Sequence, residues 1–129
     1  MRRAILITLL AAAPALAGSP AELLSSYEAA ARGADAKFAS SAQRGATLYA
    51  KPIGDVSCAS CHMSDPRAAG KHARTGKRIE PLAPAANVER FTDPAKAEKW
   101  FRRNCRDVFE RECTPAEKAD FVRYLTDLK

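Results

Sequence analysis

Methionine and histidine are almost missing from this sequence, which holds two of each in 129 residues. Met1 opens the chain and Met63 follows directly on His62, so no downstream methionine is available to a metal centre. Valine- and isoleucine-rich runs are also lacking, which excludes the parallel sheet of an α/β fold. No second C-x-x-C is present to complete a zinc site of the usual kind. The basic residues gathered between Asp65 and Pro84 are mixed with helix breakers rather than ranged along one helix face, and no aromatics interleave them, which argues against nucleic acid as a partner. Aromatic residues make up only 7%, yet 47% of residues are hydrophobic and 28% charged, the balance of a globular chain rather than a disordered or collagen-like one.

The N-terminus follows a pattern of its own. Arg2 and Arg3 precede an apolar run from Ala4 to Ala13, then Pro14 and the small-residue triplet Ala15-Leu16-Ala17, the layout of an export signal. The run is too short to span a bilayer. A core helix is the alternative, but a first helix with no polar face has nothing to present to water. Cleavage after Ala17 leaves residues 18–129 as one periplasmic domain without a membrane span. The formal net charge then falls from +6 to +4 as Arg2 and Arg3 are lost. In that oxidising compartment cysteines are expected to be bridged, metal-bound or covalently modified. There are four: Cys58, Cys61, Cys105 and Cys113.

Cys58-Ala59-Ser60-Cys61-His62 is a C-x-x-C-H motif, the attachment pattern of one covalent haem c. Two thiols three positions apart can form thioethers to the two vinyl groups of a porphyrin, and the adjacent imidazole then meets the iron from one face. His62 is thus the proximal ligand. Three other readings use the same residues. A thioredoxin-like redox pair would need βαβ units. A zinc site would have to gather Cys58, Cys61, His62 and His72, although Cys61 and His62 are neighbours that rarely face one tetrahedral metal. A plain Cys58–Cys61 disulfide leaves His62 without a role.

The remaining pattern is helical. Ala21 to Arg32 carries Leu23, Leu24 and Tyr27 at helical spacing and stops at Gly33, which suits a left-handed cap. A second helix is predicted from Ala34 to about Ala50, with Phe38, Ala42, Gly45, Leu48 and Tyr49 on its buried side and Gly45 admitting a close neighbour. Asp65 to Pro84 is rich in proline, glycine and basic charge and reads as a surface loop that could steer an acidic partner. Asp93-Pro94 starts a helix whose stripe is Ala97, Trp100, Phe101, Asn104, Cys105 and Val108. Thr114-Pro115-Ala116-Glu117 is a capping box leading into Phe121, Val122, Leu125 and Leu128. The fold class is all-α, a small cytochrome c-like helical domain around the cofactor.

Cys105 and Cys113 are either two free thiols or a bridge, and export favours the bridge, worth roughly 2.5 kcal/mol by loop-closure entropy. The second axial position of the iron has several claimants: His72, a lysine, water, or a neutral oxygen or nitrogen donor such as Asn104; it can also be left vacant.

Taken together, the haem motif with Met63, Pro81-Leu82-Ala83-Pro84, Arg90-Phe91-Thr92-Asp93-Pro94, Trp100-Phe101-Arg102-Arg103-Asn104-Cys105 and Arg111-Glu112-Cys113-Thr114 resemble the sphaeroides haem protein (SHP) family of high-spin cytochromes c. The resemblance covers nearly the whole mature chain. It implies that Asn104 binds ferric iron through its side chain and lets go on reduction or ligand binding, with a Cys105–Cys113 disulfide beside the haem. It further implies binding of O₂, NO or CO, and electron transfer from a dihaem c-type cytochrome fed by a membrane cytochrome b. An amide oxygen is a hard, weak-field donor, better suited to Fe(III) than to Fe(II). The competing function is a low-spin electron shuttle, with His62 and His72 both on the iron; a haem-free thiol oxidoreductase is the third.

Overall fold

The computed structural model describes residues 18–129; the export signal read at 1–17 lies outside them. Among the described residues are five helices and one hairpin of two two-residue strands. They are α1 (Pro20–Arg32), α2 (Ala42–Ala50), α3 (Cys58–His62), β1 (Gly70–Lys71), β2 (Arg78–Ile79), α4 (Pro94–Phe109) and α5 (Pro115–Asp127). No helix among the described residues is long and apolar enough to cross a membrane.

The helix starts are set by side chains that satisfy the first free N–H groups. Ser19, Asp93 and Thr114 each accept from the third residue onward, and each is followed by proline in the first turn. Glu117 completes the box at Thr114 by accepting the Thr114 N–H at 2.9 Å.

Three expectations are corrected. The second helix begins at Ala42, not Ala34, because hydroxyl and carboxylate groups take over the intervening backbone. Ser41 caps α2 by accepting from Arg44 N–H at 3.2 Å, and Ser40 bonds Glu28 of α1 through its hydroxyl and receives Arg123 Nε of α5 at 3.1 Å. Gly33 closes α1 in the right-handed region, φ −62°, so its left-handed freedom is unused. The segment from Asp65 to Pro84 is not all surface. It holds the hairpin, and Leu82 and Ala83 are buried, both their N–H groups donating to the Pro66 carbonyl at 2.9 and 3.1 Å.

α5 is the central element. Ala119, Val122 and Leu125 are fully covered, packed between α1 and α2, and they join two apolar clusters. Against α2 the approach is close enough that a Cβ on Gly45 would lie 2.7 Å from Tyr124 Cβ and overlap the Asp120 carbonyl. Asp120, the one buried charge among the described residues, is satisfied at the same contact by Ser41 N–H at 2.7 Å and by Arg44 Nε and Nη2 at 2.7 and 2.8 Å.

α4 is fastened at both ends. Near its start Glu98 accepts from Tyr27 of α1 at 2.7 Å and from Lys118 of α5 at 2.9 Å, while Tyr27 and Phe101 stack edge to face at 5.6 Å. Near its end Cys105 is bonded to Cys113. Burial raises the Glu98 pKa, but the bonds from Tyr27 and Lys118 outweigh it and hold the carboxyl below its ordinary value. A depressed carboxyl binds its proton more readily in the unfolded chain. Its contribution is therefore complete above the unfolded pKa, near 4.5, and fades as pH falls below that. Glu98→Gln should remove this acid-side stability, so wild type and variant should differ most at neutral pH and converge in acid denaturation curves.

Candidate haem site

α3 is one short turn, and it carries the whole C-x-x-C-H motif. Ser57 N–H donates to Ser60 Oγ at 2.9 Å and starts the turn. Cys58 and Ala59 rest on the apolar cluster of Tyr49, Leu82 and Leu125. Cys58 and Cys61 are both free and half-buried. Burial pushes the Cys58 thiol up to about 11, which keeps it protonated and makes it a poor redox nucleophile. The His62 imidazole is pushed down to about 4, first by burial and then by the charges of Arg90 and His72. It therefore stays neutral at physiological pH, with a nitrogen lone pair to give. Two free thiols on one turn, a neutral imidazole beside them and an apolar backing fit haem c. No group of three metal-binding side chains is found among the described residues, so the zinc reading is not assembled.

The chain reverses immediately after the motif. Met63 has φ 67° and ψ 166°, a region nearly confined to glycine and costing of order 1–3 kcal/mol for other residues. Its carbonyl accepts from the hydroxyl of Tyr49, a side chain of α2 that is only 2% exposed. Behind the turn, Gly70 of β1 lies so near that a Cβ would meet His62 Cα at 2.9 Å and overlap the Cys61 carbonyl. The Met63 side chain is half-exposed.

Asn104 sits on α4, half-buried, between the buried Phe101 and Cys105. Trp100, read from the periodicity as part of the buried stripe, is instead 41% exposed, with the Arg103 guanidinium stacked 5.5 Å from its ring centre. The buried stripe is Ala97, Phe101, Cys105 and Val108. His72 lies in the hairpin loop, where its N–H donates to the Lys77 carbonyl at 2.8 Å and its Nδ1 accepts from Thr75 N–H at 3.2 Å. With Arg74 and Thr75 it faces Arg102, Arg103 and Arg106 of α4 across a groove of about 430 Å³.

Three site residues carry no sequence signal for the role the structure gives them. Arg90 is half-buried beside His62 and donates to the carbonyls of Pro81 (2.9 Å) and Glu80 (3.2 Å), tying the loop to the segment before α4. Tyr49 read only as a core aromatic. Gly70 was one glycine in a glycine- and proline-rich stretch, and nothing local marks its contact with the motif.

A family model described as a domain of unknown function, DUF1924, matches residues 35–125. The chain is 48% identical over 133 residues to the cytochrome c-type protein SHP of Cereibacter sphaeroides, covering 97% of this chain and 98% of that protein. This chain belongs to the SHP family of c-type cytochromes. Among solved structures, oxidised SHP, described as an oxygen-binding cytochrome c, superposes with a TM-score of 0.75 at 46% identity, over 84% of this chain and 96% of that one. The solution structure of cytochrome c'' from Methylophilus methylotrophus, described in terms of haem-ligand detachment, matches with a TM-score of 0.75 at 37% identity, over 85% of this chain and 94% of that one. The all-α cytochrome fold is that of these relatives. Haem c is the cofactor of this SHP-family chain, and Cys58 and Cys61 are placed consistently with its attachment.

Proposed function

We propose that this chain is a periplasmic monohaem cytochrome that binds diatomic ligands and takes part in electron transfer, with His62 the proximal ligand and Asn104 a displaceable distal one. The observation that carries this reading is Asn104 itself, a half-buried amide on α4 between the buried Phe101 and Cys105, the latter bridged to Cys113. Haem, when bound, would supply a redox-active iron open to donors from the protein and to small ligands. Cys58 and Cys61 tether the group by their sulfurs. His62 offers a nitrogen that burial keeps unprotonated. Asn104 would offer only a neutral amide oxygen, a weak donor to a reduced iron and so one that diatomic ligands such as O₂, NO or CO could replace. The Cys105–Cys113 bond restrains the end of α4, so that release of the amide is a local swing rather than an unfolding. The oxygen binding described for SHP and the ligand detachment described for cytochrome c'' support a distal group that lets go.

The groove between the hairpin loop and α4 supports the electron-transfer half of the reading. Arg74, Arg102 and Arg103 take part in none of the described salt bridges, which leaves a basic rim able to meet an acidic redox partner; a dihaem cytochrome c, itself served by a membrane cytochrome b, is the partner expected.

Asn104→Ala tests the distal assignment. Haem should remain covalently attached, the ferric absorption spectrum should change, and cyanide should bind ferric protein about tenfold more tightly or better because no internal ligand competes. An unchanged ferric spectrum would show that another group holds that position. A sharp low-spin ferrous spectrum indifferent to CO would favour the His62 and His72 shuttle instead.

A further inference from the structure

We propose that Tyr49 is a positioning residue for the axial imidazole: its hydroxyl holds the Met63 carbonyl in a conformation that a non-glycine residue does not keep unaided, and so fixes the peptide that aims His62. The inference rests on His62 being the proximal ligand.

Three anchors surround that peptide. Gly70 abuts the Cys61 carbonyl and His62 Cα from behind. The Pro66 carbonyl is held by the N–H groups of Leu82 and Ala83. Between them Met63 turns the chain at φ 67°, and Tyr49 grips its carbonyl. The tyrosine does not follow Met63. Its ring is packed against Phe121 at 5.9 Å and Tyr124 at 5.7 Å, both on α5, and is almost wholly buried. Burial also raises the hydroxyl pKa well above the ordinary tyrosine value, so the group remains a donor. Without that donor, Met63 can relax toward negative φ, where most residues are unstrained. The chain leaving α3 would then rotate, and the slack passes to His62, the residue directly before it.

The test is resonance Raman spectroscopy of the ferrous holoprotein, read at the iron–histidine stretch. Tyr49→Phe keeps the ring and its packing and should lower and broaden that band. Met63→Gly, for which the observed backbone carries no strain, should leave it near the wild-type position. Combining the two should bring the band back toward wild type, since a glycine needs no hydroxyl to hold it. A wild-type band in Tyr49→Phe would overturn the proposal even if the variant melted at a lower temperature, because the tyrosine would then be structural only. A displaced band that Met63→Gly does not rescue would overturn it too, placing the effect of the hydroxyl elsewhere. If wild-type ferrous protein shows no iron–histidine band, the five-coordinate ferrous site with His62 as its one axial ligand fails, and this inference, stated for that site, is overturned with it by a signature none of the variants produces.

Discussion

Gly70→Ala should lower the share of expressed chain that carries covalent haem by roughly tenfold. The added methyl would overlap the Cys61 carbonyl and approach His62 Cα to 2.9 Å, and both are backbone atoms that cannot swing aside as a side chain would. Relief requires either β1 or α3 to move. β1 is held by its pairing with β2, Gly70 opposite Ile79 and Lys71 opposite Arg78, and by the His72 N–H to Lys77 carbonyl bond. α3 has five residues and little bonding of its own, so it gives way, carrying Cys58, Cys61 and His62 with it. Overpacking of this kind costs about 1–3 kcal/mol, and each 1.4 kcal/mol is about a factor of ten in the population of correctly placed motif. The measurement is the ratio of pyridine haemochrome to total protein after expression with a c-type maturation system. A variant loaded as fully as wild type would show that the hairpin does not brace the motif.

The second large effect is expected at Gly45→Ala, and its sign is the informative part. In an ordinary helix interior this change stabilises by roughly 1 kcal/mol, because alanine loses less backbone entropy. Here the new Cβ would overlap the Asp120 carbonyl and stand 2.7 Å from Tyr124 Cβ, both on α5. Separating α2 from α5 strains the most extensive helix contact in the described domain and pulls Arg44 and Ser41 away from Asp120, the buried carboxylate they satisfy. We expect a net loss of about 2 kcal/mol, or a fall in Tm of roughly 10 °C for a domain of this size. Thermal melts followed by far-ultraviolet circular dichroism decide it; equal or greater stability would mean that the helices part at little cost.

Helix existence and type were legible wherever a cap and an apolar stripe agreed. Asp before Pro and Thr three residues before Glu mark the starts of α4 and α5, since the groups that cap a helix lie within a turn of its first free N–H; α1, placed by its apolar spacing, has the same box at Ser19 and Glu22. The early start assigned to α2 failed for a tertiary reason: Ser40 and Ser41 bond to Glu28, Arg123 and Asp120, partners distant in sequence. Trp100 shares helical spacing with buried residues yet lies at the edge of the stripe, where periodicity alone does not separate inside from rim. Leu82 and Ala83 look like loop residues because their burial depends on the Pro66 carbonyl and the side of α5, not on neighbours in the chain.

The amino-acid order by itself specified the chemistry of the cofactor. Thiol, thiol and imidazole must sit within one turn to serve one porphyrin, and covalent spacing along a backbone is local information. It likewise specified the helical class and the four cysteines' two different fates as expectations. What holds that turn in place was decided only in three dimensions. The grip of Tyr49 on Met63, the glycine contacts at 45 and 70, and the neutral state of His62 arise from groups that come together on folding. Exclusion of water and close approach of backbones belong to the packed domain, and no local spacing encodes them.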